Sequence, residues 1–273
     1  MLEVHILASG SDGNCTVVEC DGEAVMIDCG ISCKKVLHQM EQEGVDKEAV
    51  KAILITHEHT DHMSGAGATA RKLGVPVMCN IPTFDAMNLG MVDFVPFDPA
   101  SSFDVGPFHI VPLPTSHNAV QPNAFFLETD QGRVAQITDT GMVTPQIEHA
   151  LKMSDIAVFE ANYDSQMLAD GPYPPQLKRL IGSDHGHMCN ADSANAIRRT
   201  MSDDHRRQVF LAHLSGHNNT PDVARQTVAD ITGIRRMMID CLEFPGDSRT
   251  LSMKRSRRRF DRHGLAAVQQ DVG

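Results

Sequence analysis

The sequence lacks the features that mark membrane-spanning and repetitive proteins. No apolar run approaches the length needed to cross a bilayer. The strand-like first residues are followed at once by Ser9 and Gly10, so no signal peptide is expected. Internal repeats and low-complexity segments are also absent. These absences predict a cytoplasmic globular protein that makes no contact with membranes.

Cysteine pairs of the Cys-x-x-Cys type are absent as well. The chain has 7 cysteines, an odd number, scattered along the sequence. A disulfide framework would usually need an even number, and the commonest zinc and redox motifs would need the close pairs. We therefore expect free, mostly structural thiols in a reducing compartment.

Positive charge is in short supply. Lys and Arg number 24 against 35 Asp and Glu, which gives a net charge of -11 and no overall attraction to nucleic acid. Basic residues are nevertheless concentrated in one run, 254–262. With 273 residues, 41% of them hydrophobic, the chain can build one large core. We predict one domain over 1–252 and a flexible basic C-terminal tail over 253–273.

Histidine, in contrast, is abundant, and its densest cluster follows an apolar segment. The strand-like run 51–55 leads into His57, His59, Asp61 and His62, and a helical stretch of small residues follows over 63–73. An α/β fold places ligand sites where a strand ends and a helix begins. Imidazole and carboxylate ligands suit zinc, manganese or iron. One short loop could therefore serve two adjacent metal ions.

His-x-His-x-Asp-His after an apolar strand resembles the signature of the metallo-β-lactamase fold superfamily. The resemblance implies an α/β fold, an αββα sandwich, with two divalent metal ions at one edge of its sheets. It implies that His57, His59 and His117 bind one ion, that Asp61, His62 and His213 bind the other, and that Asp139 bridges both. His117, Asp139 and His213 each follow an apolar strand, as ligands at a sheet edge should. The resemblance also gives Asp28 a supporting role behind the metal loop.

Two ions about 3.5–4 Å apart can hold a hydroxide between them and neutralise charge on a phosphoryl or carbonyl oxygen. The expected reaction is therefore hydrolysis, and no protein nucleophile is needed. In this scheme Asp61 orients or deprotonates the attacking water. His187 is the candidate for protonating the leaving group.

Further motifs resemble one branch of the superfamily, the YycJ/WalJ type. They are 10–14, 186–190, and 213–215 with 218–221, and the resemblance extends from Leu2 to about Leu251. The sequence departs from the branch pattern at Asp12, at 188–189 and at 216–217. The branch implies a phosphodiesterase that acts on DNA as a 5′-to-3′ exonuclease. In the first motif, Ser11 and Asn14 are predicted to bind substrate together with His187.

Several alternatives remain open on the sequence alone. The metal site would equally serve a hydrolase of a thiolester or another small carbonyl substrate. A non-enzymatic nucleic-acid-binding protein that uses the basic tail is a third reading. Glu160 and Asn162 could support the ligands or simply end a strand, whereas Glu58, His185 and His217 are expected to be bystanders. The oligomeric state is not predicted.

Overall fold

The structure, a computed structural model, describes residues 1–202 and 207–253. Within these ranges the chain forms two seven-stranded sheets. The strands are, in chain order, β1 Leu2–Ala8, β2 Cys15–Cys20, β3 Glu23–Ile27, β4 Val50–Leu54, β5 Val77–Cys79, β6 Phe94–Pro96, β7 Phe103–Val105, β8 Phe108–Pro114, β9 Asn123–Glu128, β10 Arg133–Ile137, β11 Ile156–Glu160, β12 Gln208–Ala212, β13 Ile239–Asp240 and β14 Arg249–Met253.

Each sheet is antiparallel on one side and parallel on the other. The first sheet has the order β14-β1-β2-β3-β4-β5-β6, and its parallel part begins at the β3–β4 pair. The second has the order β13-β12-β11-β10-β9-β8-β7, with parallel pairing from β10 to β13. The antiparallel pair β2–β3 turns at Asp21 and Gly22, which have positive φ angles of 53° and 82°. This is the hairpin that the Asp-Gly signal predicts.

Helices connect the parallel strands and cover the sandwich. They are α1 Cys33–Gln42, α2 Thr60–Met63, α3 Ala66–Leu73, α4 Ile81–Asp85, α5 Pro145–Met153, α6 Ser165–Asp170, α7 Pro175–Ile181, α8 Asn190–Arg199 and α9 Pro221–Thr232. Short 3₁₀ turns lie at Lys47–Ala49 and Arg236–Met238. No helix in the described part of the chain is long and apolar enough to span a bilayer.

Alternating side chains of the second sheet build two separate cores. In β11, Ile156 and Val158 belong to the core between the sheets, whereas Ala157 and Phe159 pack with the helices outside. This two-residue period is what a strand covered on both faces requires. The result is the αββα sandwich that the sequence predicts.

Some sequence-based assignments were wrong. The run 75–79 is short and contains Pro76, which predicts a strand at a sheet edge. In the structure, however, β5 pairs with both β4 and β6. Pro76 precedes the strand, so its missing N–H removes no bond from the ladder. The helix predicted over 63–73 is divided between α2 and α3. The run 236–240 predicts a closing strand, but its first three residues form a 3₁₀ turn and only Ile239–Asp240 is a strand. Strands β7 and β14 were not predicted.

The predicted domain boundary falls near the last described strand. β14 ends at Met253 and pairs with β1, so residue 253 belongs to the first sheet. The rest of the predicted basic tail, 254–273, lies outside the described residues. Its separation from the domain stays a prediction.

Candidate metal centre

The predicted metal ligands lie in loops that follow the carboxyl ends of strands. One group follows β4 and continues into α2, and single residues follow β8, β10 and β12. Tertiary structure brings these loops to one edge of the sandwich. The potential ligand atoms form overlapping groups within 4.8 Å, and these groups include all seven predicted ligands: His57, His59, Asp61, His62, His117, Asp139 and His213.

Three of the strand ends adopt an unusual backbone conformation. Asp28, Asp139 and His213 follow β3, β10 and β12, and their φ angles are 58°, 57° and 56°. This left-handed region costs a non-glycine residue roughly 1–2 kcal/mol. Such outliers are known to gather at functional sites, where the surrounding structure enforces them. Here two of the three residues, Asp139 and His213, are predicted metal ligands, and the third, Asp28, is predicted to support the metal loop.

His57, His59 and His117 form the first group of predicted ligands. The Nδ1 atom of His59 lies 3.1 Å from His57 Nε2 and 3.3 Å from His117 Nε2. His57 is 1% exposed and His117 is 7% exposed, so two of the three rings are shielded from bulk water. Three imidazoles around one point are a common ligand set for zinc.

Asp61, His62 and His213 form the second group. Asp61 Oδ2 lies 3.3 Å from His62 Nε2 and 3.2 Å from His213 Nε2. Asp139 lies between the two groups: its Oδ2 is 3.2 Å from His62 Nε2, and its Oδ1 is 3.7 Å from His117 Nε2. A carboxylate in this position can offer one oxygen to each of two ions.

The arrangement of lone pairs fits metal cations. His62 Nδ1 lies 2.8 Å from Asp28 Oδ2, and His117 Nδ1 lies 2.9 Å from the carbonyl oxygen of Gly186. Both partners are acceptors, so each ring donates its Nδ1 proton outward and turns its Nε2 toward the cluster. The buried Oδ2 of Asp139 forms no hydrogen bond despite its 3.2 Å approach to His62 Nε2. Two facing acceptors at this distance need a cation or a proton between them.

The pKa shifts of the histidine rings differ between the two groups. Burial, together with the neighbouring His62, holds the pKa of His57 well below its usual value. This keeps His57 in the neutral form that binds metal. Burial also opposes the charged form of His62, but the carboxylates of Asp139 and Asp28 outweigh it and raise the pKa of His62 well above its usual value.

His213 behaves like His62. Burial disfavours its imidazolium, but Asp139 and hydrogen bonds with Asp61 and Glu160 raise its pKa to about 10. The second group is therefore strongly attractive to positive charge. A divalent ion would satisfy that attraction in place of two protons.

Hydrogen bonds from neighbouring residues support the loop that carries His57 to His62. Asp28 accepts bonds from the backbone N–H of Thr56 at 2.9 Å and from its hydroxyl at 3.0 Å, in addition to the bond from His62. Asn14 was predicted to bind substrate, but it is only 5% exposed. Its Nδ2 lies 3.3 Å from the carbonyl oxygen of Asp61 and 3.2 Å from His62 Nε2. The structure thus places Asn14 beside the second group rather than on an open surface.

Glu160, which sequence reasoning left undecided, holds two rings. It is fully buried at the end of β11, and its Oε1 lies 2.7 Å from His187 Nδ1 and 3.3 Å from His213 Nδ1. Its Oε2 accepts a bond from the N–H of Thr140 at 3.0 Å. Asn162 adds a bond to the carbonyl oxygen of His213 at 2.8 Å. The available sequence signal was an acidic residue ending an otherwise apolar strand.

The remaining candidates lie around the rim. Ser11 is exposed and forms no hydrogen bond with the cluster. His185 is also exposed, and its Nδ1 lies 3.1 Å from the hydroxyl of Ser116. Glu58, which is predicted to be a bystander, accepts a bond from the N–H of Val120 at 2.8 Å.

The sequence of this chain is similar to those of known proteins. Residues 23–214 match the family described as "Beta-lactamase superfamily domain". The chain is 36% identical over 236 residues to exodeoxyribonuclease YycJ of Bacillus anthracis, and the match covers 84% of this chain and 89% of that protein. It is 35% identical over 232 residues to exodeoxyribonuclease WalJ of Streptococcus pneumoniae, covering 82% and 86% of the two chains.

Solved structures show the same fold at low sequence identity. YhfI of Bacillus subtilis, a metallo-β-lactamase fold protein, superposes with a TM-score of 0.69 at 16% identity, covering 91% of this chain and 99% of the other. Zn(2+)-bound PqqB from Methylobacterium extorquens gives 0.67 at 14% identity, covering 92% and 100%. The chain therefore belongs to the metallo-β-lactamase fold superfamily, in its YycJ/WalJ-type branch, and is a metal-dependent hydrolase.

Proposed function

We propose that this hydrolase is a two-metal phosphodiesterase that degrades DNA in the manner of a 5′-to-3′ exonuclease. The observation that carries the two-metal part is the position of Asp139 between two complete ligand groups. The DNA part is carried by the relatives, which are named exodeoxyribonucleases and align over most of both chains.

His57, His59 and His117 would hold one ion, Asp61, His62 and His213 the other, and Asp139 would bridge them. Zinc, manganese and iron all suit this mixture of imidazole and carboxylate. When bound, such a pair lowers the pKa of a water molecule and neutralises charge on phosphoryl oxygens. The seven free cysteines agree with a cytoplasmic location, which we also propose.

The protein's own groups would position and move protons. Asp61 is the most exposed carboxylate of the cluster, with 22% of its side chain accessible. It can accept a hydrogen bond from the attacking water while it binds metal. His187 is 18% accessible and its Nδ1 is held by Glu160. Because the carboxylate fixes Nδ1, the other ring nitrogen of His187 is the one that can deliver a proton to the leaving oxygen.

The test uses protein loaded with manganese or zinc and 5′-labelled single- and double-stranded DNA. We expect release of labelled nucleotides by the parent protein. The His59→Ala variant should lose metal and activity together, and Asp139→Asn should cost orders of magnitude in rate. His38→Ala is the matched control, because His38 is an exposed histidine of α1.

The two parts of the proposal fail in different ways. Turnover of a glutathione thiolester with no cleavage of DNA or of bis-p-nitrophenyl phosphate would contradict the phosphodiesterase. Full activity of His59→Ala or Asp139→Asn would contradict the ligand assignment. Cleavage of DNA from the 3′ end or internally would leave the chemistry intact and remove the 5′-to-3′ direction.

A further inference from the structure

Aromatic side chains are scarce in this chain, and one of its two tyrosines is partly exposed. The sequence contains no Trp and only 2 Tyr. Tyr163 is 8% exposed and belongs to a small apolar cluster with Leu168 and Cys189. Tyr173 packs against that cluster but remains half-buried, in the Pro-rich loop between α6 and α7. Part of its ring therefore faces solvent.

Tyr173 is paired with the ring of His217. The two ring centroids are 5.6 Å apart and the planes meet at 71°, an edge-to-face arrangement. His217 itself is exposed. The pair is thus a solvent-facing aromatic surface built from two different loops, which we call the Tyr173–His217 platform.

Both loops are held rigidly. A Cβ atom added to Gly171 would lie 2.5 Å from Asn218 Oδ1, so the two loops approach each other closely. The hydroxyl of Ser215 accepts bonds from the N–H groups of His217 and Asn218 at 3.4 and 3.2 Å. Prolines on both sides of Tyr173 fix their own φ angles. The platform is therefore pre-organised.

The platform lies close to the metal-ligand cluster along the chain. His217 is four residues after His213, which limits the separation of their Cα atoms to about 14 Å. On the other side, α7 leads from Tyr173 toward His187, and a helix of 7 residues is about 10 Å long. One strand of DNA carries a phosphate about every 3.4 Å along the axis. A Cα separation of at most about 14 Å corresponds to about four such steps, so one substrate strand can reach both His217 and the cluster.

We propose that the Tyr173–His217 platform stacks an unpaired nucleobase of the substrate strand next to the scissile phosphodiester. Aromatic rings are the general means of holding single-stranded nucleic acid, because every base offers a π-face. Such contacts need little positive charge, which suits a chain with a net charge of -11. This inference rests on the proposed function, since it names how that substrate is held.

A purely structural role for Tyr173 makes different predictions. In that case its ring would only cover the Tyr163 cluster, and its loss would affect all substrates alike. His217 is exposed, so truncating it should be harmless to folding. A test that compares substrates with and without a base separates the two roles.

The experiment measures KM and kcat of the metal-loaded full-length protein on single-stranded oligonucleotides. One series carries an abasic residue at each of the first four positions. For the parent, one abasic position should raise KM by about tenfold. His217→Ala and Tyr173→Leu should raise KM on the intact oligonucleotide by a similar factor. On the abasic one they should add nothing further.

Controls isolate the ring contact. Tyr173→Phe should retain the parent KM, and His38→Ala should be neutral. Hydrolysis of a fully abasic oligonucleotide should be unchanged in all these variants, because that substrate has no aromatic ring to stack. Without Trp, tyrosine emission is directly visible, so an oligonucleotide should quench it in the parent and much less in Tyr173→Phe.

Each outcome decides the matter. Equal losses on intact and abasic oligonucleotides, or unchanged KM in both His217→Ala and Tyr173→Leu, would overturn the platform while leaving the nuclease proposal standing. If the parent cleaves bis-p-nitrophenyl phosphate but no oligonucleotide, the DNA proposal fails and the platform fails with it.

Discussion

Glu160 shows how one buried side chain can fix several others. Its two oxygens contact His187, His213 and the backbone of Thr140, and none of its surface is exposed. A buried carboxylate is costly unless it is paired and hydrogen-bonded, so this residue is retained for what it holds. It keeps two rings in fixed orientations at the centre of the cluster.

Replacing Glu160 by Gln should therefore damage catalysis more than folding. Gln keeps the shape but replaces one carboxylate oxygen by an amide donor, so it cannot accept bonds from both His187 and the N–H of Thr140. We expect kcat to fall about 10–100-fold at saturating metal. Metal analysis and far-UV circular dichroism of the variant check that its metal content and fold are near those of the parent. Unchanged kcat would show that Glu160 does not act through His187.

Asp28 offers a second single-residue test. Asp28→Asn should keep the left-handed backbone, because Asn tolerates positive φ, but it weakens the bonds to Thr56 and His62. We expect metal affinity to fall about 10–100-fold, measured by competition with a chelating dye. Asp21→Asn is the matched control, since Asp21 also has a positive φ of 53° but lies on an exposed hairpin. Equal affinities in the two variants would contradict the supporting role of Asp28.

At the level of helices and strands, close backbone contacts decide how the metal loop is held. The small-residue helix expected after His62 breaks at Ser64 and Gly65, where the chain passes the loop after β3. A Cβ on Gly65 would lie 1.9 Å from the carbonyl oxygen of Ile31. Gly65 N–H also donates to the carbonyl oxygen of Cys29 at 2.8 Å. The break thus lets two loops bond directly beneath the ligands.

Gly65→Ala should consequently destabilise the protein. Overpacking of this kind typically costs about 1–3 kcal/mol in the free energy of unfolding, and here the obstacle is backbone that cannot turn away. Gly216→Ala is the control, because nothing lies within 4 Å of its added Cβ. Denaturant titrations of the two variants give the comparison. Equal stability would mean that the two loops separate at little cost.

The last described strand also predicts where the chain can be shortened. β14 pairs with β1 from Arg249 to Met253, and Leu251 is 4% exposed. Ending the chain after Met253 should leave the thermal unfolding midpoint unchanged, whereas ending it after Asp247 should lower it by several degrees. Thermal melts of both truncations test the proposed boundary. A large loss in the longer one would place part of 254–273 within the folded unit.

Across the whole molecule, the chain is acidic and its metal-ligand cluster is surrounded by carboxylates. These carboxylates raise the pKa of His62 and bring that of His213 to about 10. Without metal, both rings therefore hold protons near neutral pH, since a raised pKa keeps a group protonated up to that pKa. Divalent ions must displace these protons before they bind.

Metal binding should accordingly release protons. Titration of zinc into metal-free protein near neutral pH, by calorimetry in buffers of different ionisation enthalpy, should show release of at least one proton per protein. The release should shrink as the pH approaches about 10, where His213 is already losing its proton. A heat that does not depend on the buffer would contradict the protonated state of these rings.

Much of the fold and of the candidate site could be predicted from the sequence. The local pattern placed most strands, and the residue types of His57 to His62 specified metal chemistry. Such features depend on neighbours in the chain, so periodicity and ligand chemistry suffice. The edge position of β5 was predicted wrongly because the number of neighbours of a strand is a property of the sheet. Strands β7 and β14 were missed because each is short or mostly polar and is defined by its partner.

By itself the sequence determined the ligand types, their order and the strand-to-loop positions where they occur. Only the tertiary structure decided that Glu160 joins His187 to His213 and that Tyr173 meets His217. The physical reason is that these contacts join residues far apart in the chain. The pairing of strands that are distant in the chain brings their ends to one edge of the sheet. No local sequence pattern specifies which strand ends meet there.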